Sequence, residues 1–175
     1  MIADYNPYLK TAITRGKLSK PMKLLKDKDL LQGNILDFGC GKGEDVILLQ
    51  REKYNILGYD EYNPAYSEDT LKDSLDTTIN TITCNYVFNT IPNLTEHEGL
   101  VKLFKALSDR ISIYISVRAD TKAIKDNWIF SEVEQGYWTP RGSFQRFYNE
   151  IDVDCFFGDV EYIHNDNDFK LFKII

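Results

Sequence analysis

The sequence predicts an α/β fold: a doubly wound, mostly parallel sheet that ends in an antiparallel hairpin. Short apolar runs alternate with stretches of helical spacing, which is typical of parallel strands joined by crossover helices. The last two apolar runs, 158–164 and 169–175, flank the turn segment Asn165-Asp-Asn-Asp168 and predict the hairpin. With 175 residues, 43% of them hydrophobic, the chain suits one domain with one core.

The first 33 residues predict a basic N-terminal arm and helix. Seven basic and three acidic side chains give them a formal charge of +4, although the whole chain carries −6. Ser19 is the predicted N-cap, Pro21 lies in the first turn, and the helix is expected to end near Gly33. The arm could steer an anionic substrate, but lysine-rich helices are usually only solvated faces.

The main body, residues 34–175, is predicted to alternate strands with helices. The strands are expected at 34–38, 54–60, 80–88 and 110–117, and the helices at 44–51 and 95–108. Residues 118–150 show no steady period. This stretch is predicted to be an insertion that covers a site.

Composition excludes several classes of protein. No apolar run approaches the roughly 20 residues that span a bilayer, and the N-terminus lacks a signal pattern, so a soluble, cytoplasmic protein without a membrane partner is expected. Cys40, Cys84 and Cys155 lie far apart and only two histidines are present, so neither a metal site nor a disulfide is predicted. The oligomeric state stays open.

The segment 37–43, Asp-Phe-Gly-Cys-Gly-Lys-Gly, is the most informative part of the chain. A strand-to-helix turn at the carboxyl edge of a parallel sheet presents backbone N–H groups, and its glycines let a ligand lie against the main chain. A dinucleotide fingerprint would need Gly or Ala at position 44, where this chain has Glu44. The carboxylates of Glu44 and Asp45 would also repel a pyrophosphate. A nucleotide-like ligand other than a nicotinamide dinucleotide is therefore predicted.

Two motifs resemble those of class I S-adenosylmethionine-dependent methyltransferases. Leu36-Asp-Phe-Gly-Cys-Gly-Lys-Gly43 is similar to their first motif, and Gly58-Tyr-Asp60 is similar to the second, an acid that binds both ribose hydroxyls. The resemblance extends from Asn34 onward. It implies a Rossmann-like methyltransferase fold, S-adenosylmethionine as cofactor and methyl transfer as the activity.

The resemblance also implies which residues contact the cofactor. Asp37 would hold the ammonium group of its methionine half, Asp60 the ribose, and Asn85 would face the transferable methyl. The full predicted set is Asp37, Gly39, Cys40, Gly41, Gly43, Asp60, Glu61 and Asn85.

The chemistry expected of such an enzyme is an in-line displacement, in which the protein aligns the reactants and excludes water. Asn85 and Tyr86 are the predicted catalytic residues, as groups that position the nucleophile, although a purely structural role is left open. His97, near the start of a predicted helix, is expected to face solvent rather than the site.

Four basic residues are predicted to bind the substrate. Arg118, Arg141 and Arg146 could join nearby aromatic rings in a cap that stacks on bases, but a small auxiliary aromatic core is the favoured interpretation. Those rings belong to Trp128, Tyr137 and Trp138. The predicted substrate-binding residues are Arg15, Lys17, Arg118 and Arg141.

The chain departs from the family pattern in two places. Only 19 residues separate Asp60 from the strand at 80, so strand three is expected to be short or absent, and Asp73 and Asp76 are unsupported candidates for the adenine contact. Asn85-Tyr-Val-Phe88 lacks the two prolines of enzymes that methylate DNA amino groups, so that activity is disfavoured. No Pro-Cys nucleophile is present either.

The sequence leaves three classes of function open, of which the third, a nicotinamide oxidoreductase, is disfavoured by the glycine spacing. The first is a methyltransferase acting on a nucleic-acid component or a small metabolite. The second is a module that binds S-adenosylmethionine without turnover, as the small size of the domain would allow. More loosely, three segments are similar to methyltransferases associated with DNA phosphorothioation and mobile elements: Arg15-Gly-Lys-Leu-Ser-Lys-Pro21, Asn85-Tyr-Val-Phe-Asn-Thr-Ile91 and Gly142-Ser-Phe-Gln145.

Overall fold

The computed structural model describes residues 14–68 and 78–175. Within these ranges the α-helices are α1 (Lys20–Asp27), α2 (Glu44–Arg51), α3 (Leu94–Leu107) and α4 (Glu150–Phe157). The strands are β1 (Ile35–Phe38), β2 (Ile56–Tyr59), β3 (Thr81–Asn85), β4 (Ser112–Arg118), β5 (Ile129–Ser131), β6 (Gly136–Trp138), β7 (Phe144–Gln145), β8 (Val160–Asn165) and β9 (Phe169–Ile174).

The main sheet has the strand order β2-β1-β3-β4-β9-β8. The first four of these strands are parallel, and β9 runs antiparallel to both β4 and β8. The predicted doubly wound sheet with a terminal hairpin is therefore confirmed. Between β2 and β3 the described residues contain the short 3-10 helix Pro64–Tyr66 and no strand, in the interval where strand three was expected to be short or absent.

Helices cover both faces of the sheet. Neighbouring residues of each strand point to opposite faces, so residues of both sets are buried. Ile35 of β1 packs with α1 and α2, whereas Leu36 packs with α3 and α4. The helix residues on the first face are Met22 and Leu25 of α1, with Val46 and Leu49 of α2. Those on the second face are Val101 and Phe104 of α3, with Val153 and Phe157 of α4. The continuous apolar runs of the sequence reflect this double burial.

The N-terminal helix is shorter than predicted. Ser19 caps it as expected, since its side chain accepts a hydrogen bond from the Met22 N–H at 3.3 Å. The helix ends at Asp27 rather than near Gly33, because Asp29 adopts the left-handed conformation with φ 57° and turns the chain. Leu31 still reaches the core, from the segment after that turn.

Residues 118–150 contain a second sheet of order β5-β6-β7, which was not predicted. Its aromatic side chains pack on one another, with the rings of Trp138 and Phe144 5.3 Å apart and those of Phe130 and Tyr137 5.0 Å apart. Phe144 is buried in this cluster, whereas Phe130 stays 55% exposed, so only part of the cluster forms the auxiliary aromatic core that the sequence favoured over a base-stacking cap.

Helix α4 was also missed. Asn149 and Asp152 form a capping box, in which each side chain accepts a hydrogen bond from the backbone N–H of the other. The spacing Asn-x-x-Asp before an apolar pair was the signal available. In the ranges that the structure describes, no helix has the length and apolar character needed to cross a membrane.

Candidate functional site

A cavity of about 870 Å³ opens at the carboxyl ends of β1, β2, β3 and β4. This edge holds the topological switch point, because β2 and β3 lie on opposite sides of β1, and open α/β sheets bind ligands at such a point. The predicted site residues that line the cavity are Arg15, Asp37, Gly39, Cys40, Gly41, Asp60, Glu61, Asn85, Tyr86 and Arg118.

Three other predicted site residues do not line this cavity. Lys17 and Arg141 are exposed elsewhere on the surface. Gly43 is buried behind the glycine turn, where it caps α2 with φ 72° and faces the ring of Tyr66. Asp73 and Asp76, the candidates for an adenine contact, lie outside the described residues.

The glycine turn is held in an open conformation by backbone hydrogen bonds. The N–H groups of Gly39 and Cys40 both donate to the carbonyl of Tyr59, at 2.7 and 3.0 Å. Gly39 has φ 71°, and a Cβ there would lie 2.3 Å from Cγ2 of Val87. Glycine is therefore required at position 39 by both its backbone and its neighbour. Burial also raises the pKa of the Cys40 thiol, which makes that side chain unreactive.

Asp60 joins the glycine turn to the end of β2. Its Oδ2 accepts a hydrogen bond from the Gly41 N–H at 2.8 Å, and its Oδ1 accepts one from the Tyr62 N–H at 3.0 Å. The side chain of Asn63 donates to the carbonyl of Gly41 at 2.6 Å and fixes the same loop. Since each carboxylate oxygen has two acceptor positions, both oxygens of Asp60 can still accept a hydrogen bond from a ligand.

Asp37 is an almost fully buried acid at the end of β1. Burial is the main reason that its pKa rises to about 7, and the neighbouring carboxylate of Asp45 adds to the increase. The hydroxyl of Thr83 donates to Asp37 Oδ1 at 2.8 Å and opposes the shift. A cation placed beside Asp37 would therefore stabilise its ionised form.

Residues 15–19 fold over the first turn of α2. The Ser19 N–H donates to Asp45 Oδ1 at 2.7 Å, and the Arg15 guanidinium lies 3.3 Å from Asp45 Oδ2. The Arg15 N–H donates to the carboxylate of Glu44. Glu44 and Asp45, whose charges are unfavourable for a bound pyrophosphate, thus bind the N-terminal segment. They also hold Arg15 at the cavity wall.

Asn85 and Tyr86 follow one another at the end of β3. Ser116 Oγ donates to Asn85 Oδ1 at 3.0 Å, and Asn85 Nδ2 has no hydrogen-bond partner within the described ranges. Tyr86 has φ 63°, a strained conformation for an aromatic residue and one that is enriched at functional sites. Burial raises the pKa of Tyr86, so its hydroxyl stays protonated and can donate a hydrogen bond.

Arg118 and Arg146 have different environments. Arg118 ends β4, lines the cavity and donates from Nη1 to Gln145 Oε1 at 3.3 Å. Arg146 is buried, and its guanidinium donates to the carbonyls of Glu134 and Gln135. Because these backbone carbonyls accept its hydrogen bonds, Arg146 does not belong to the cap in which it was predicted to contact a substrate.

His97 is buried, contrary to the expectation that it faces solvent. It lies on the inner face of α3, in the same i, i+4, i+7 row as Val101 and Phe104, and this spacing was the signal overlooked. The Tyr148 hydroxyl donates to the Phe88 carbonyl at 3.0 Å, so His97 Nε2, 2.9 Å from that hydroxyl, must be the donor of their hydrogen bond.

Burial of His97 predicts that this side chain destabilises the folded protein as the pH falls below 6.5, an effect that the buried Asp37 opposes. Burial is the main reason that the pKa of His97 falls to about 3, with Arg146 adding to it, whereas the unfolded chain has a value near 6.5. Between these two values the unfolded state binds one more proton, so each pH unit below 6.5 lowers the free energy of unfolding by about 1.4 kcal/mol.

Urea unfolding of wild type and His97→Gln, at several pH values between 4 and 7, measures this contribution. The difference in stability between the two proteins should change with pH at the slope just given. Parallel pH profiles for the two proteins would contradict the assignment.

A family model described as a methyltransferase domain matches residues 10–151, which is most of the chain. The chain belongs to this methyltransferase domain family. The assignment supports S-adenosylmethionine as the cofactor. No curated protein sequence matches the chain significantly.

Several solved structures share the fold at low sequence identity. The PH0226 protein of Pyrococcus horikoshii is 12% identical, with a TM-score of 0.61 over 88% of this chain and 89% of that one. A SAM-dependent methyltransferase of Anabaena variabilis is 16% identical, with a TM-score of 0.54 over 86% and 82%. CalS10 of Micromonospora echinaspora, an amino pentose methyltransferase with SAM bound, is 12% identical, with a TM-score of 0.53 over 90% and 92%.

Proposed function

We propose that this protein transfers a methyl group from S-adenosylmethionine to a small molecule. The observation that carries the proposal is the row of Asp37, the glycine turn and Asp60 along one wall of the cavity. Asp37 suits the ammonium group of the methionine half, and Asp60 suits the two ribose hydroxyls. The glycine turn lies between them, and its Gly39 and Gly41 line the cavity without side chains.

The free hydrogen-bonding capacity of these residues fits the cofactor. Both oxygens of Asp60 can accept one more hydrogen bond, as two neighbouring ribose hydroxyls require. Arg15 Nε is buried and has no partner within the described part of the chain, so it can donate to the carboxylate of the methionine half. The bound cofactor supplies a methyl group that its sulfonium has already activated.

Asn85 and Tyr86 are proposed to position the methyl acceptor. Because the carbonyl oxygen of the Asn85 amide accepts from Ser116, its Nδ2 is free to donate toward an acceptor oxygen. The Tyr86 hydroxyl is a second donor, since it remains protonated at neutral pH. These two groups orient the acceptor, which is the main task left to the protein in an in-line transfer.

Two observations favour a small acceptor over a nucleic acid. Several cations of the N-terminal segment already pair with carboxylates of this chain, namely Arg15 with Asp45, Lys20 with Asp168, Lys23 with Asp27 and Lys26 with Glu52. These pairs neutralise charge that a phosphate backbone would need. CalS10, which shares the fold, acts on an amino pentose. The similarity to methyltransferases associated with DNA phosphorothioation and mobile elements stays a prediction from the sequence, and so does a nucleic-acid component as the acceptor.

Calorimetric titration with S-adenosylmethionine, S-adenosylhomocysteine and NAD tests the cofactor. Micromolar binding of the first two, without binding of NAD, is expected. Release of S-adenosylhomocysteine in the presence of pools of small metabolites then tests turnover. Failure of a folded protein to bind either adenosyl compound would refute the proposal, and binding without product in any pool would favour a non-catalytic module.

A further inference from the structure

We infer that the methyl acceptor carries a carboxylate or phosphate group and that Arg118 binds this group. The inference rests on the proposed function, because it concerns the acceptor side of the same cavity. The atom that receives the methyl is a separate matter.

Arg118 is a half-buried cation without a carboxylate partner. Among residues 14–68 and 78–175 no acid forms an ion pair with it, whereas Arg15 pairs with Asp45. Its side-chain contacts are the neutral oxygen of Gln145, at 3.3 Å, and the face of the Phe147 ring, 5.4 Å from the guanidinium carbon. A guanidinium stays charged in any protein environment, so an anion from outside the chain would complete this site.

The position of Arg118 separates it from the groups assigned to the cofactor. Strand β4, which Arg118 ends, lies two strands away from β1, and neighbouring strands are about 4.8 Å apart, so roughly 10 Å separates Arg118 from the strand of Asp37. Asn85 lies between them, because it pairs in register with Ser116, two residues before Arg118. An anion on Arg118 would therefore lie on the far side of Asn85 from the methionine half.

Hydrogen-bond donors line the cavity around Arg118, together with the carboxylate of Asp168. The Tyr86 hydroxyl belongs to the same cavity wall; burial is the main reason that its pKa rises, the charge of Asp168 adds to the rise, and the charges of Arg118 and Arg15 oppose it. Of these, Asp168 is paired with Lys20, and Arg15 with Asp45. The guanidinium, the Tyr86 hydroxyl and Asn85 Nδ2 all donate, which matches the oxygen atoms of a carboxylate or a phosphate.

NMR of the arginine side chains tests the inference in the protein saturated with S-adenosylhomocysteine. The Nε–H signal of Arg118 is assigned by its loss in Arg118→Lys and Arg118→Gln, and the exposed Arg110 serves as an internal control. Benzoate or phenyl phosphate at millimolar concentration should shift the Arg118 signal saturably and leave Arg110 unchanged. Inorganic phosphate shows whether the anion alone suffices, and comparison of the two aromatic anions distinguishes carboxylate from phosphate.

Benzamide, which has the shape of benzoate without its charge, should not shift the Arg118 signal. Arg118→Gln should weaken anion binding at least about tenfold, and Arg110→Gln should leave it unchanged. Absence of a shift with all three anions, or an equal shift with benzamide, would overturn the inference. Loss of S-adenosylhomocysteine binding would instead contradict the proposed function, and calorimetry on the same samples separates these two failures.

Discussion

Replacing Asp60 with alanine is expected to weaken the binding of S-adenosylmethionine by about 2 to 4 kcal/mol, which is about 30-fold to 1,000-fold in Kd. The carboxylate would accept a charge-assisted hydrogen bond from each of two ribose hydroxyls. It has the capacity to do so while it keeps its bonds from the N–H groups of Gly41 and Tyr62. Calorimetric titration of the folded variant measures the loss.

Asp60 also stabilises the glycine turn, so its loss could act through the loop alone. Asn63→Ala is the matched control, because it removes the 2.6 Å hydrogen bond to the Gly41 carbonyl from the same loop but keeps the carboxylate. We expect a smaller loss of affinity in that variant. An analogue of S-adenosylhomocysteine without ribose hydroxyls should bind wild type poorly and should bind Asp60→Ala as well as the parent compound does. If wild type and Asp60→Ala both bind the analogue more weakly than S-adenosylhomocysteine, and by the same factor, Asp60 does not hold the ribose.

The parts of this molecule that depend on short stretches of sequence were predictable. Helix α2 has the expected bounds because the glycine turn marks its start. A short apolar run predicted β1, β-branched and aromatic residues predicted β3, and the alternation of apolar and polar residues predicted β4. Asp37 and Asp60 were found through the resemblance of their segments to the two methyltransferase motifs. Asp37 is the penultimate residue of β1 and Asp60 follows β2, and parallel strands bring their carboxyl ends to one edge.

The parts that were missed depend on contacts between distant segments. The burial of His97 arises from Tyr148 and the Phe88 carbonyl, and a local helical pattern does not specify those partners. Glu44 and Asp45 were interpreted as repelling a ligand, but they bind residues 15–19, about 30 positions earlier in the chain. Arg146 looked available for a substrate until the fold brought backbone carbonyls to it. A charged side chain can bind a ligand only when the fold leaves it unpaired, and sequence alone rarely shows this.

Replacing Asp37 with asparagine is expected to give the second large effect. The affinity for S-adenosylmethionine and the stability of the protein should change in opposite directions. The pKa of Asp37 is raised to about 7, so a cofactor ammonium beside it must displace a proton at lower pH. Affinity for S-adenosylmethionine should therefore fall by up to about tenfold for each pH unit below 7. Asp37→Asn, which lacks the charge, should bind about 10-fold to 150-fold more weakly at pH 8 and show little of this pH dependence.

The same burial makes the ionised Asp37 costly in the protein without cofactor. Its folded pKa of about 7 exceeds the unfolded value of 3.8, so the folded state holds the extra proton between these values. The contribution of Asp37 to the free energy of unfolding is therefore most favourable at low pH. It falls by up to about 1.4 kcal/mol per pH unit as the pH rises toward 7. Asp37→Asn should thus unfold at a higher temperature than wild type at pH 8, although it binds the cofactor poorly. If Asp37→Asn loses both stability and affinity for the cofactor, Asp37 only supports the fold. If the variant is more stable but binds the cofactor more weakly, Asp37 is a carboxylate that is kept in an unfavourable site in order to bind a cation.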